Sequence, residues 1–91
     1  MQFEWDESKA ESNFAKHNVP FDKAILAFDD PGRRLTADTR KDYGEARWIL
    51  VGLSEGRLLT VVWTRRDEKI RLISARGANL REKRDYEKQN G

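Results

Sequence analysis

The stretch Val61-Val62-Trp63-Thr64-Arg65-Arg66-Asp67-Glu68-Lys69-Ile70-Arg71-Leu72-Ile73-Ser74-Ala75-Arg76 decides the fold. It reads as two β-strands joined by the polar turn Arg66-Asp67-Glu68-Lys69, with cations throughout. A connection this short forces antiparallel neighbours. Just upstream, Trp48-Ile49-Leu50-Val51 lies within a strand over Arg47–Leu53, and Ser54-Glu55-Gly56 turns it into the strand Arg57–Arg65. Ile70–Arg76 completes a three-stranded meander. Arginines inside strands are costly to bury and are usually placed where they meet an anion. The sheet therefore points to a protein that handles phosphate, with RNA the leading candidate.

Upstream of the meander, Gln2-Phe3-Glu4-Trp5 alternates polar and apolar, as a short first strand does. Asp6 or Ser8 offers a cap for a helix from about Glu7 to His17, and Ser8-Lys9-Ala10-Glu11 has capping-box spacing. Asn18, tolerant of the left-handed conformation, ends that helix ahead of Val19-Pro20. Asp22 is read as the cap of a second helix through Phe28, with Phe21 as its staple. Asp29-Asp30-Pro31-Gly32 is a turn, and residues 33–45 are a loop or edge strand. After Gly77-Ala78, Asn79 with Glu82 three residues on caps a last helix over about Leu80 to Lys88. Leu80 and Tyr86 are its only large apolar residues, a stripe too thin to dock it firmly. The expected architecture is α+β: a small antiparallel sheet of three to five strands, two N-terminal helices on one face, and a C-terminal helix. The opposite face is then free for function.

At 91 residues the chain has room for one domain, spanning residues 1–91. Its hydrophobic and charged fractions are both 37%, yet three Trp, four Phe and two Tyr argue against disorder. The net charge of +2 conceals an asymmetry. Residues 1–45 carry 10 acids against 7 Lys and Arg, a net of −3, whereas residues 46–91 carry 6 acids against 11, a net of +5. The C-terminal half is the one to suspect of binding polyanions. A solvated charged surface is the plainer reading of the same numbers. The absence of cysteine removes disulfides and thiol chemistry and fits a reducing cytosol. No apolar run approaches a membrane span, and the N-terminus lacks the pattern of a signal peptide. There is no phosphate-cradle glycine motif, and one His without Cys makes a zinc site improbable, so no cofactor or metal is expected.

Three groups of residues carry candidate chemistry. Arg57, Arg65, Arg66, Lys69, Arg71 and Arg76 punctuate the strands and their turn. Arg71 and Arg76 differ in parity, so they share one site only if the strand ends or bulges near Ser74-Ala75. Lys9, Asn13 and His17 form one stripe of the first helix. His17, the only histidine, is either an acid–base group or a structural partner for the last helical carbonyls. In the last helix, Arg81, Lys83 and Arg84 surround Tyr86, which can move a proton, stack on a base, or anchor the helix with Leu80.

Phe3-Glu4-Trp5-Asp6-Glu7-x-Lys9, Asn13, Lys16-His17 and Phe28-Asp29-Asp30-Pro31 resemble the BrnT family. So do Gly44-Glu45-x-Arg47-Trp48-Ile49, Gly52, Val62-x-Thr64-x-Arg66 and Ile70-Arg71-Leu72-Ile73-Ser74-Ala75-Arg76-x-Ala78 with Glu82 and Tyr86. Asn18 stands where members more often carry Gly. The resemblance implies a RelE-like fold and the toxin half of a type II toxin–antitoxin pair. It implies a metal-independent endoribonuclease that inhibits translation. The implied partner is a BrnA-type antitoxin in a 2:2 hetero-oligomer, which brings the toxin to operator DNA. Without a metal, RNA is cut by its own 2′-hydroxyl, and arginine forks neutralise the charge that builds at phosphorus. On this reading Arg65, Arg71 and Arg76 contact the scissile phosphate, and Tyr86 or His17 handles protons. Lys9, Arg57, Arg66, Lys69, Arg81, Lys83 and Arg84 hold the RNA backbone. The alternative is a non-catalytic RNA- or protein-binding module on the same sheet.

Overall fold

The computed structural model describes residues 1–91. Five strands form one sheet: β1 (Phe3–Glu4), β2 (Arg34–Ala37), β3 (Arg47–Ser54), β4 (Arg57–Arg66) and β5 (Lys69–Gly77), in the order β1-β5-β4-β3-β2. The meander β3-β4-β5 is antiparallel, as its short turns require. Glu55-Gly56 and Asp67-Glu68 make those turns with positive φ at both residues, the mirror-image geometry that matches strand twist. The sheet as a whole is mixed rather than antiparallel, because β1 runs parallel to β5. Most of the chain separates these two strands, so no tight turn dictates their direction. Residues 33–45, ambiguous in sequence, supply β2 as an antiparallel edge strand and then a loop.

Helix α1 (Glu7–His17) has the expected bounds, and Asn18 closes it at φ 58°. Its cap is Asp6, which accepts from the Ser8 and Lys9 amides, and not the Ser8–Glu11 box. Charge-assisted acceptance by a carboxylate outcompetes a neutral hydroxyl. Helix α2 is shorter than expected, Phe21–Ala24, and tightens into a 3-10 helix at Ile25–Asp29. Pro20, not Asp22, precedes it, and Phe21 is its first residue rather than a staple. Proline suits this position because its fixed φ leads into a helix and the N–H it lacks has no helical partner.

Phe21, Ala24, Ala27 and Phe28 join Leu50, Leu59, Val61, Trp63, Ile70, Leu72 and Ala75 in one core cluster. The odd residues of β4 therefore face these helices. Gly52 of β3 lies against the same layer, where an added Cβ would sit 2.6 Å from the Ala27 carbonyl oxygen. On β5 the core residues are Ile70, Leu72 and Ala75, a set that strict alternation cannot place on one face. A β-bulge resolves the conflict. Trp63 pairs with Leu72 and Val62 with Ser74, leaving Ile73 as the extra residue.

Beyond the two residues paired with β1, the outer edge of β5 is closed by a side chain. The Asn13 amide donates to the Ala75 carbonyl at 2.8 Å and to the Val19 carbonyl at 3.2 Å, and its oxygen accepts from the Ala75 amide at 3.1 Å. Asn13 is the one buried residue of α1 and acts as a substitute strand. Helix α3 (Leu80–Asn90) lies over the opposite face of the sheet, because its Glu82 accepts from Thr60, an even residue of β4. That face is therefore not left free as expected, since α3 occupies its Thr60 end through polar contacts. No helix is long and apolar enough to cross a membrane.

Asn13→Ala strands the buried Ala75 N–H and two carbonyls, so urea denaturation should show a loss of about 3 kcal/mol. Ser12→Ala, one residue away and exposed, should change stability by less than about 0.5 kcal/mol.

Candidate functional site

The bulge sets the geometry of the face away from the core. With Ile73 extruded, Arg71 lies beside Thr64 and Arg76 beside Thr60, so both arginines share the even face of β4. Three rows cross this face. The first runs Glu4, Arg71, Thr64, Arg47; the second Ser74, Val62, Ile49, Thr36; the third Arg76, Thr60, Val51, Arg34. The outer rows are about 13 Å apart, four residues along β4. Four arginines thus frame a centre of Ser74, Val62, Ile49 and Thr36. Arg66 and Lys69 extend the first row's side at the strand ends, with the same parity.

Each framing arginine has a carboxylate partner. Arg71 donates to Glu4 at 2.7 Å, Arg47 to Glu45 at 3.1 Å, and Arg76 to both oxygens of Glu82 at 2.8 and 2.9 Å. Arg34 lies 3.8 Å from Asp85. Arg47 also stacks 4.0 Å over the Tyr43 ring, and Arg66 approaches Glu45 at 3.7 Å. Glu82 is the most connected of these acids. It accepts from Thr60, Arg76 and the Asn79 amide, and Asn79 accepts in turn from the Glu82 amide to complete a capping box. Burial works against its charge, yet the bonds from Arg76, Asn79 and Thr60 prevail and hold its carboxyl below the ordinary value.

A cleft of about 230 Å³ opens at the edge of this face between α1 and β5, lined by Lys9, Ser12, Lys16, His17 and Ser74 over Asn13. It brings two sequence candidates, Lys9 and His17, beside Ser74 of the central row. Lys16 and Ser12 join them.

Other candidates lie elsewhere. Arg65 is exposed and has the parity of Trp63, so it points to the helix side of the sheet, away from Arg71 and Arg76. The structure therefore does not gather the three arginines: the bulge aligns two of them, and the unbroken alternation of β4 turns the third away. Arg57 and Lys83 line a groove of about 510 Å³ with Leu53, Leu58 and Tyr86 at the other end of the sheet. Arg81 and Arg84 are exposed on α3. Tyr86 donates to Asp30 at 2.6 Å, and Asp30 also accepts from the Leu53 and Gly32 amides at 2.8 and 2.9 Å. The carboxylate beside it pushes the Tyr86 hydroxyl up to about 12. Desolvation opposes the charge of Asp30, but its three donors outweigh it and its carboxyl lies below the ordinary value.

Tyr86 thus pins α3 to the 29–32 turn, while Leu80 is 66% exposed and anchors nothing. Gln89 and Asn90 add bonds to the carbonyls of Gly32 and Arg33. The thin apolar stripe is offset by polar contacts along the helix. Asp30, read from sequence as an ordinary turn carboxylate, is their hub; the Asp-Pro-Gly run signals only its bond to Gly32. Arg34 and Arg47 were also missed as site residues, because their place on this face depends on strand register. No three His or carboxylate side chains are arranged to hold a metal ion.

These features define a small α+β protein with one arginine-framed sheet face and a histidine-bearing cleft at its edge. Residues 5–82 match the family described as "Ribonuclease toxin, BrnT, of type II toxin-antitoxin system", and the chain belongs to that family. It is a ribonuclease toxin of a type II system, with an antitoxin for a partner. No curated protein sequence matches it.

The Asp30 carboxylate holds the Tyr86 hydroxyl protonated in the fold to higher pH than in the unfolded chain. Its hydrogen bond stabilises the fold fully below pH 10, and that stability is lost as the pH rises from 10 toward 12. Tyr86→Phe should lower stability by about 1.5–3 kcal/mol at pH 7, as loss of a bond to a charged group does. It should also remove this part of the alkaline loss, measured by urea denaturation from pH 8 to 12 against wild type.

Proposed function

We propose that this chain is a metal-independent endoribonuclease that binds RNA on the arginine-framed face and cleaves it beside Ser74. The observation that carries the reading is the shared parity of Arg71 and Arg76 created by the Ile73 bulge, with Arg34, Arg47, Arg66 and Lys69 on the same side. Six cations set against the four carboxylates Glu4, Glu45, Glu82 and Asp85 leave this face net positive, which suits a polyanionic strand, and guanidinium forks suit phosphate oxygens.

In this mechanism the 2′-hydroxyl attacks the adjacent phosphorus and loses its proton, and the P–O5′ bond breaks. The products are a 2′,3′-cyclic phosphate and a 5′-hydroxyl, so no water is consumed in the first step. Arg71 and Arg76 bracket the Ser74 row and stabilise the charge that builds on the phosphoryl oxygens. His17 lies in the cleft beside that row and handles protons. Lys9, Lys16, Arg47, Arg66 and Lys69 hold flanking phosphates. Arg65 has no part in the site, and Tyr86 positions α3 rather than touching the reacting atoms. Arg57, Arg81, Lys83 and Arg84 lie at the α3 end, where they meet a longer RNA. The fold is RelE-like, the cleaved RNA serves translation, and a BrnA-type antitoxin neutralises the toxin.

Cleavage of a defined RNA in excess EDTA tests this reading, with the ends identified by mass spectrometry. Wild type should yield 2′,3′-cyclic ends. Arg71→Ala and Arg76→Ala should each lower kcat/KM about 100-fold or more, and His17→Ala similarly. Arg65→Ala should remain within about threefold of wild type. Equal losses in Arg65→Ala and Arg71→Ala, or salt-sensitive RNA binding without cleavage, would overturn it.

A further inference from the structure

The helix side of the molecule carries a second concavity with different chemistry. A groove of about 490 Å³ runs between α1 and α2, lined by Trp5, Ala10, Phe14, Pro20 and Phe21. Glu7, Glu11 and Asp22 rim it. Phe14 is 49% exposed although it sits mid-helix, whereas Phe21 beneath is buried and meets the Trp5 ring edge-on at 5.8 Å. The floor is therefore packed and apolar, and the exposed ring stands at its margin. None of the three rim acids is within ion-pair distance of a cation, unlike the acids of the opposite face. The groove also belongs to the half of the chain with a net charge of −3.

We propose that this groove docks a basic amphipathic segment of the antitoxin, one that inserts a large apolar side chain between Phe14 and Phe21 and places Lys or Arg against Glu7, Glu11 and Asp22. Charge complementarity selects the occupant. An RNA strand is repelled by the acidic rim, and an acidic peptide equally so. A helix presenting apolar anchors three or four residues apart fits a groove between two helices, and flanking cations pair with rim carboxylates that have no ion-pair partner, Glu7 accepting only from the Trp5 indole at 3.1 Å. The groove lies on the helix side of the sheet, away from Arg71, Ser74 and Arg76. Docking here secures the antitoxin without itself filling the RNA site, so groove contacts set affinity for the antitoxin and leave catalysis untouched. The inference rests on family membership and does not depend on the proposed cleavage mechanism.

Isothermal titration of the purified chain with its cognate antitoxin provides the test, using Phe14→Ser and Glu11→Lys. Both positions are exposed, and circular dichroism checks that each variant is folded. Each should weaken antitoxin binding about tenfold or more, as loss of a central anchor or a reversed charge does. Raised salt should weaken the wild-type complex and narrow its difference from Glu11→Lys. Neither variant should change RNA cleavage or RNA binding, which separates failure of this inference from failure of the ribonuclease reading. Wild-type affinity for the antitoxin in both folded variants would overturn the proposal. So would sedimentation showing that the free chain self-associates through the groove and that Phe14→Ser abolishes this, since the occupant is then a second copy.

Discussion

One extra residue in β5 governs the arrangement of the whole chain. Ile70, Leu72 and Ala75 are all buried, and no unbroken strand can direct these three to one side. Burying side chains such as Ile70 and Leu72 is worth about 1.5–3 kcal/mol each, whereas one disrupted ladder bond costs about 1 kcal/mol. Core formation therefore wins and the strand bulges at Ile73. Asn13 holds the result in place by bonding both backbone groups of Ala75 from the neighbouring helix. The same displacement carries Arg71, Ser74 and Arg76 to the opposite side. A packing requirement on one face thus produces a cationic array on the other.

That array is charged yet largely balanced. Glu4, Glu45, Glu82 and Asp85 each face one of its arginines, and these pairs are partly exposed. Ion pairs in such surroundings contribute only about 0–1 kcal/mol to stability. They orient the guanidinium groups, and under the proposed function a phosphate displaces them at small cost. Glu82 differs because it also caps α3 and bonds Thr60, so the helix and Arg76 are held through the same carboxylate. With no buried residue of its own, α3 depends on such polar contacts. The two sides of the molecule differ: the arginine-framed array lies on one, and an apolar groove with an acidic rim lies on the other.

The meander, α1 and its Asn18 cap, and the cap of α3 were legible in the sequence because each is written in local periodicity or turn chemistry, and the family was legible through the resemblance of its motifs along the chain. The parity conflict between Arg71 and Arg76 was also legible, but its resolution depended on which residues the core would claim. β1 runs parallel and β2 pairs at all only because of long-range contacts that a four-residue pattern does not announce. Asp30 and Asn13 resisted reading for a related reason. Their importance lies in partners 23 and 62 residues away, and nothing nearby distinguishes them from an ordinary turn or helix residue. Arg65 misled because its type fits the chemistry while its position, one residue from Thr64, turns it to the wrong side.

Under the proposed function, phosphate meets one particular face of the sheet. NMR titration of the isotope-labelled chain with a short 2′-O-methyl RNA, which binds without being cut, tests it most directly. The account predicts shifts concentrated at Arg47, Thr64, Arg71, Ser74 and Arg76 and along the cleft at Lys9 and His17, with Arg65, Phe14 and Glu11 unmoved. Shifts centred on Arg65 or on the α1–α2 groove, with the Ser74 row silent, would contradict it.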